Sequence, residues 1–215
     1  MKRRLLDLFS GGGGAGFGYR DWFDVIGADT ADHAASYAHV GEFHRMDWAA
    51  ALEKFGGTVD AIHASPPCQA YSQTRGLSNG QHPMLIDDVR AALEATSLPY
   101  VIENVQGSGL PEQPDLFGRE GLLLCGAMFG LRTYRHRLFE VSVPVPVPPH
   151  PMHMAKVSPL GRPLRPGEFM AVVGHFPGVE DGRAAMGAPW LSRAELAQAI
   201  PPAYTRFIGK YLLEA

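Results

Sequence analysis

Leu5-Leu6-Asp7-Leu8-Phe9-Ser10-Gly11-Gly12-Gly13-Gly14-Ala15-Gly16-Phe17-Gly18 is an apolar run that stops in a glycine-rich turn and restarts on small residues. Residues 4–8 read as a strand and residues 14–22 as the start of a helix. Glycine lets the backbone approach a ligand closely and adopt positive φ, which suits a nucleotide-like or nucleoside-like cofactor. No Gly-Lys-Ser/Thr follows, so the turn departs from a phosphate-binding loop. An anionic Asp7 at the strand end would repel phosphate. An acid there suits a cationic or hydroxyl-bearing ligand.

Outward from this unit, short apolar runs alternate with helix-like stretches. Strands are expected at 25–28, 59–64 and 100–103, and helices at 31–38, 48–55 and 84–96. Alternation at this spacing predicts an α/β fold, a mostly parallel sheet with helices on its faces. Ligands of such sheets bind beyond the carboxyl ends of the strands. Asp7, Asp29, Cys68 and Glu103 all fall at or just after expected strand ends. Asp29 is placed for ribose hydroxyls. Asp47 either accepts from an exocyclic amine or caps helix 48–55, and both roles are compatible.

The character changes near residue 140. Val141-Ser-Val-Pro-Val-Pro-Val-Pro-Pro-His150 has proline at nearly alternate positions and reads as an extended connector. Residues 151–180 predict a small irregular lobe. Ser192 with Glu195 makes a capping box for a helix through residue 200. Pro201-Pro202 start another helix, whose stripe of Tyr204, Phe207, Ile208, Tyr211 and Leu212 is expected to pack on the sheet. This divides the chain into a catalytic and cofactor-binding part (1–140), a connector with a reduced recognition lobe (141–185) and closing helices (186–215).

With 215 residues and 46% hydrophobic composition, the chain supports one sizeable core. A net charge of −3 argues against a polycationic DNA coat. Arg119, Arg132, Arg135, Arg137, Lys156, Arg162 and Arg165 nevertheless face only Glu120 and Glu140 in one segment, which allows a phosphate-binding face or a solvated charged loop. No secretory signal is read at the start, and no apolar run approaches the roughly 20 residues of a membrane span, so a cytoplasmic protein is expected. The two cysteines, Cys68 and Cys125, are far apart without a Cys-x-x-Cys pair. Neither a disulfide framework nor a thiolate zinc site is suggested, and no metal is expected.

Ser65-Pro66-Pro67-Cys68-Gln69 places one cysteine on a stiff turn after the strand 59–64, since proline fixes its own φ and biases the residue before it. A cysteine acts as a nucleophile only as thiolate, whereas a structural one packs as a small hydrophobe.

Asp7-Leu-Phe-Ser-Gly-Gly-Gly-Gly, Pro66-Pro-Cys-Gln69, Glu103-Asn-Val105 and Arg135-His-Arg137, in this order, resemble the S-adenosylmethionine-dependent DNA cytosine-C5 methyltransferases. The resemblance covers residues 4–140 and, more loosely, 186–214, where Gln198-Ala-Ile-Pro-Pro-Ala-Tyr-Thr-Arg-Phe-Ile-Gly209 is similar to the closing segment of short, phage-type members. It implies a Rossmann-like class I methyltransferase fold, S-adenosylmethionine as cofactor and double-stranded DNA as partner. Cys68 is then the nucleophile that adds to cytosine C6, and Glu103 the group that hydrogen-bonds the base. Arg135 and Arg137, two apart on a strand, point to one face and brace Glu103, the base or a phosphate. Cofactor contacts are implied for Asp7, Phe9, Ser10, Gly11, Gly12, Gly14, Ala15, Asp29, Thr30, Asp47, Trp48 and Pro66. Substrate contacts are implied for Pro67, Gln69, Ser72, Arg75 and Asn104, with residues 70–83 as a lid over a flipped base.

Two departures matter. The gap at 141–185 is short for a recognition domain, so Lys156, Arg162 and Arg165 are expected to grip phosphate without reading bases. Pro201-Pro202-Ala203-Tyr204 stands where many members have a Gly-Asn-Ser/Thr-Val run. The short gap keeps open RNA, a free pyrimidine nucleotide or a modified one-carbon donor, and also a non-catalytic DNA-binding subunit that needs a protein partner.

Overall fold

The computed structural model describes residues 2–67, 85–111, 120–159 and 161–215. Its centre is β1 (Arg3–Leu8), in which Leu5, Leu6 and Leu8 are all fully buried. Successive strand residues face opposite sides, so burial of both Leu5 and Leu6 means that both faces are covered, as expected for an inner parallel strand. β2 (Phe23–Asp29) and β4 (Ala61–Ala64) flank it in parallel, with Leu5 opposite Val25 and Ala61.

The seven strands lie in the order β3-β2-β1-β4-β5-β7-β6. β3 (Glu42–Arg45), β2, β1, β4 and β5 (Tyr100–Asn104) are parallel. β7 (Arg137–Val141) runs antiparallel between β5 and β6 (Glu120–Leu124). β3 and β6 add to the expected strands, and β7 takes up the strand expected at Arg135 and Arg137 but begins only at Arg137. β3 escapes a hydrophobicity reading because it is an edge strand, Glu-Phe-His-Arg, with both ends exposed.

One face is covered by α1 (Gly14–Tyr19) and α7 (Pro202–Leu213), the other by α3 (Trp48–Phe55) and α4 (Ile86–Thr96). In α7, Tyr204, Ile208 and Leu212 are fully buried in the same cluster as Leu5 and Val101, so the expected stripe does pack on the sheet. α2 is a short Ala34–Tyr37 rather than 31–38. α6 (Arg193–Gln198) has the expected capping box, Ser192 accepting from the Glu195 amide while the Glu195 carboxylate accepts from the Ser192 amide. It ends before residue 200 because Ile200 precedes Pro201 and is biased away from helical geometry.

Among the described residues, 142–178 contain no helix and a single bridge, Val157 to Phe169. α5 (Val179–Met186) falls where irregular chain was expected at its start. Met170, Val172, Phe176, Met186, Leu191 and Leu196 form a small cluster of their own, which joins this region to α6.

Candidate active site

The strand order reverses between β1 and β4, and the loops beyond their carboxyl ends diverge there. A cleft of about 430 Å³ opens at this point. Its walls are the β1 turn (Asp7, Phe9 to Gly12, Gly14 and Ala15), the end of β2 (Asp29, Thr30 and His33), Ser65 to Pro67 after β4, and Glu103 and Val105 after β5. Arg137 and, from the C-terminal segment, Ala194, Glu195 and residues 198–200 complete it. These lie where the open-sheet rule puts a ligand.

Asp7 is fully buried, and its Oδ2 accepts from the Tyr37 hydroxyl at 2.9 Å. Its Oδ1 and the Ser10 Oγ are buried without a partner among the described residues. Burial pushes the Asp7 carboxyl up to about 8, the charge of Asp29 adding to this and the Tyr37 and Gly16 hydrogen bonds opposing it. Asp29 accepts from the Gly11 amide at 3.0 Å and the Ala31 amide at 2.9 Å, which fixes the carboxylate at the mouth of β2.

The glycines divide into two kinds. At Gly11, with φ +49°, a Cβ would meet nothing within 4 Å, so this backbone is open to a ligand. At Gly12 a Cβ would lie 2.7 Å from Leu191 Cδ2 and 2.9 Å from the Glu195 carboxyl, so that glycine admits the C-terminal segment instead.

Glu103 is 6% exposed, and its Oε1 lies 2.9 Å from Arg137 Nε. Burial raises its carboxyl above the ordinary range, against the opposing charges of Arg137 and Arg135 and a hydrogen bond from Ser65. Ser65 Oγ is also 2.8 Å from His63 Nε2, and His63 Nδ1 is 3.0 Å from the Tyr19 hydroxyl. Burial pulls the His63 imidazole down to about 3, so the ring is neutral. With Glu103 ionised, Tyr19 donates to His63, His63 Nε2–H to Ser65, and Ser65 to Glu103. His63 and Ser65 escape a sequence reading because their partners lie 44 residues away at Tyr19 and on another strand at Glu103.

The structure corrects several placements. Arg135 precedes β7, with φ +20°, and does not share a strand face with Arg137. Its guanidinium donates to the carbonyls of Val172 at 2.7 Å and of Ala197 and Ala199 at 2.8 Å, so it ties the C-terminal wall together. Asn104 is 1% exposed; its Nδ2 donates to the Pro66 carbonyl and its Oδ1 accepts from the Val105 amide, both at 2.9 Å. It therefore clamps the turn after β4 rather than facing a substrate. Asp47 caps α3 by accepting from the Ala49 amide, and neither Asp47 nor Trp48 lines the cleft, although Trp48 stacks on Phe9 at 6.1 Å. Arg162 pairs with Glu168 inside the lobe. Cys68, Gln69, Ser72, Arg75 and the loop 70–83 lie outside the described residues, as does Arg119.

Sequence reading missed Glu195 as a cleft residue. Burial works against its charge, yet hydrogen bonds from Ser36, Ser192 and His33 outweigh that and hold the carboxyl at about 2. Its capping motif was legible; its second contact, to His33 Nδ1 at 3.2 Å, was not.

This sheet order and crossover pattern define a Rossmann-like class I methyltransferase fold. The whole chain superposes on the Entamoeba histolytica methyltransferase EhMeth with a TM-score of 0.58 and 11% identity, covering 100% of this chain and 98% of that one. The S. pombe Dnmt2 methyltransferase aligns at 19% identity and a TM-score of 0.48 over 66% of this chain, which spans about half (49%) of that protein's length. No protein-family model matches the sequence, and no curated protein sequence does.

Proposed function

We propose that the chain transfers a methyl group from S-adenosylmethionine to C5 of cytosine in DNA, through a covalent bond between Cys68 and C6. The observation that carries this reading is Glu103, a carboxyl buried against Arg137 in the same cleft as the turn Ser65 to Pro67, which leads directly into Cys68.

The cleft residues suit the donor. Once the approaching ammonium favours the ionised form of Asp7, its unpartnered Oδ1 offers that group a buried acceptor, and Ser10 Oγ offers a buried hydroxyl to the carboxylate. Asp29, held by the Gly11 and Ala31 amides, is a fixed acceptor for ribose hydroxyls. When bound, S-adenosylmethionine supplies an electrophilic methyl group.

Cytosine C5 is too electron-poor to take that group unaided. The Cys68 thiolate bonds to C6 and pushes electrons through the ring toward N3. Glu103, raised by burial, holds a proton at N3 and accepts from the exocyclic amine. Arg137 fixes the carboxyl in position, and Asn104 fixes the backbone at Pro66. After C5 is methylated, its proton passes to solvent, the C5–H electron pair re-forms the C5–C6 double bond, the C6–S pair leaves as the Cys68 thiolate, and N3 returns its proton to Glu103. A base within a duplex must leave the stack to reach such a cleft, at a cost of a few kcal/mol.

The test uses methyl-labelled S-adenosylmethionine and duplex DNA containing 5-fluorocytosine, whose C5 carries no removable proton. A stable, labelled protein–DNA adduct is expected, and it should vanish in Cys68→Ser while cofactor binding persists. Absence of the adduct in protein that binds the cofactor, or full turnover by Cys68→Ser, overturns the reading. The same assay with single-stranded RNA or free cytidine nucleotides separates the alternative substrates.

A further inference from the structure

Away from the cleft, four donor side chains converge where β6 ends and β7 begins. Cys125 follows β6, His136 precedes β7, and His150 and His153 come from the end of the proline-rich stretch. One ligand atom from each lies within 4.8 Å of all the others. Cys125 Sγ is 3.3 Å from His153 Nε2, and His136 Nε2 is 3.2 Å from His150 Nε2.

We propose that Cys125, His136, His150 and His153 form a structural zinc(II) site that fastens the proline-rich segment to the sheet. Zn–N bonds of about 2.0–2.1 Å and a Zn–S bond of about 2.3 Å put tetrahedral donors about 3.3–3.6 Å apart, within a few tenths of an ångström of the two short separations. One thiolate with three imidazoles is a tetrahedral, borderline-soft set suited to zinc. Four protein ligands leave no open position for a substrate, so the role is structural.

The surroundings are organised for the ion. The Cys125 side chain accepts from the Met128 amide of the 3-10 turn Gly126–Phe129, a donor that supports a thiolate. Tyr134 stacks on the His153 ring at 3.6 Å and 17°, and its hydroxyl donates to the Ala155 carbonyl, which fixes that ring's orientation. Cys125 is buried, whereas His150 and His153 are exposed, so an ion can enter from solvent. The segment that carries the two exposed histidines has no helix or strand, and Met152 and Met154 beside them are 82% and 80% exposed. Little apolar packing holds it, and a metal supplies the missing tie. The expectation of no thiolate metal site rested on the absence of Cys-x-x-Cys. It missed a set spread as Cys-x10-His-x13-His-x2-His, which only the fold assembles.

His136 lies between Arg135, which braces the C-terminal wall, and Arg137, which pairs with Glu103. The site is independent of the proposed methyl transfer, and its test does not use activity. Untagged full-length protein, purified and dialysed against metal-free buffer, should retain about one zinc per chain. Replacement by cobalt(II) should give the intense d–d bands of a tetrahedral site with a thiolate charge-transfer band, and Cys125→Ser should lose that band. Because Cys125 is buried, His150→Gln provides a variant at an exposed position. It should weaken zinc retention against a chelator by more than the 10–100-fold typical of losing an outer-shell partner. Folded protein, judged by circular dichroism, that carries no stoichiometric zinc and gives no cobalt bands would overturn the proposal. So would His150→Gln holding zinc as tightly as the parent.

Discussion

Asp7 shows what a single residue contributes at this site. A buried carboxyl whose pKa rises from about 3.8 to about 8 holds a proton in the folded chain that the unfolded chain has released between those values. The folded form binds more protons across that window, so stability is fully present below about pH 4 and declines as pH rises toward 8. Asp7→Asn keeps the size and an acceptor for Tyr37 but cannot ionise. We expect urea denaturation at pH 5 and pH 8 to show a clear loss of stability at the higher pH for the parent, and a flatter dependence for Asp7→Asn. Equal slopes would mean that Asp7 is ionised throughout. The same substitution should weaken S-adenosylmethionine binding on the proposed reading, since Oδ1 is the unpartnered acceptor. Asp7, Asp29 and Glu103 were legible in sequence because an acid just after an apolar strand has one place to go in a parallel sheet. Ser65, His63 and Arg135 were not, because their roles come from partners across the fold: Glu103 for Ser65, and carbonyls 37 to 64 residues away for Arg135.

Between elements, the clearest device is the ion pair of α4 with β7. Arg90 on α4 donates to both oxygens of Glu140 on β7 at 2.9–3.0 Å, and Glu140 is fully buried. Asp87 and the Tyr100 hydroxyl add contacts to the same pair. Removing one member of a buried pair leaves the other charge uncompensated, at roughly 3–5 kcal/mol when both are fully buried. The Arg90 side chain is 13% exposed, so Glu140→Gln should cost about 2–3 kcal/mol, read as a lower urea midpoint at unchanged slope. Adding Arg90→Met should recover part of that loss, whereas additive losses would show that the pair does not couple. Glu140 was read only as a scarce acid in a basic segment, and only Arg135 and Arg137 were placed on a strand, so the run of β7 through Val141 went unrecognised. A charged residue inside a strand interrupts the apolar alternation on which strand reading relies. β1, β2, β4 and β5 were readable because inner parallel strands are apolar on both faces, and α3 because Asp47 caps an evident start.

At the scale of the whole molecule, the two ends of the chain build one wall. Phe17 stacks on Trp190 at 4.0 Å, the Trp190 indole donates to the Gly12 carbonyl at 3.1 Å, and Thr205 donates to the Ala15 carbonyl at 2.7 Å. Among the described basic residues at 132–165, four of six are committed to holding this assembly. Arg135 serves the C-terminal wall, Arg137 serves Glu103, Arg132 donates to the Glu168 carbonyl, and Arg162 pairs with the Glu168 carboxylate. Lys156 and Arg165 stay exposed on the lobe. A side chain committed inside the protein releases no counterion when DNA arrives, whereas each phosphate neutralised lowers the slope of log K against log salt by about 0.9. If the proposed substrate is duplex DNA, replacing Lys156 and Arg165 together by Ala should flatten that slope by about 2, with fold stability unchanged. Arg162→Ala should instead loosen the lobe and lower thermal stability while altering the slope little. Titrations of labelled duplex at several salt concentrations would separate these outcomes. An unchanged slope in the double variant would mean that the lobe does not meet phosphate, and an equal effect from Arg162→Ala would mean that its pairing with Glu168 yields to DNA.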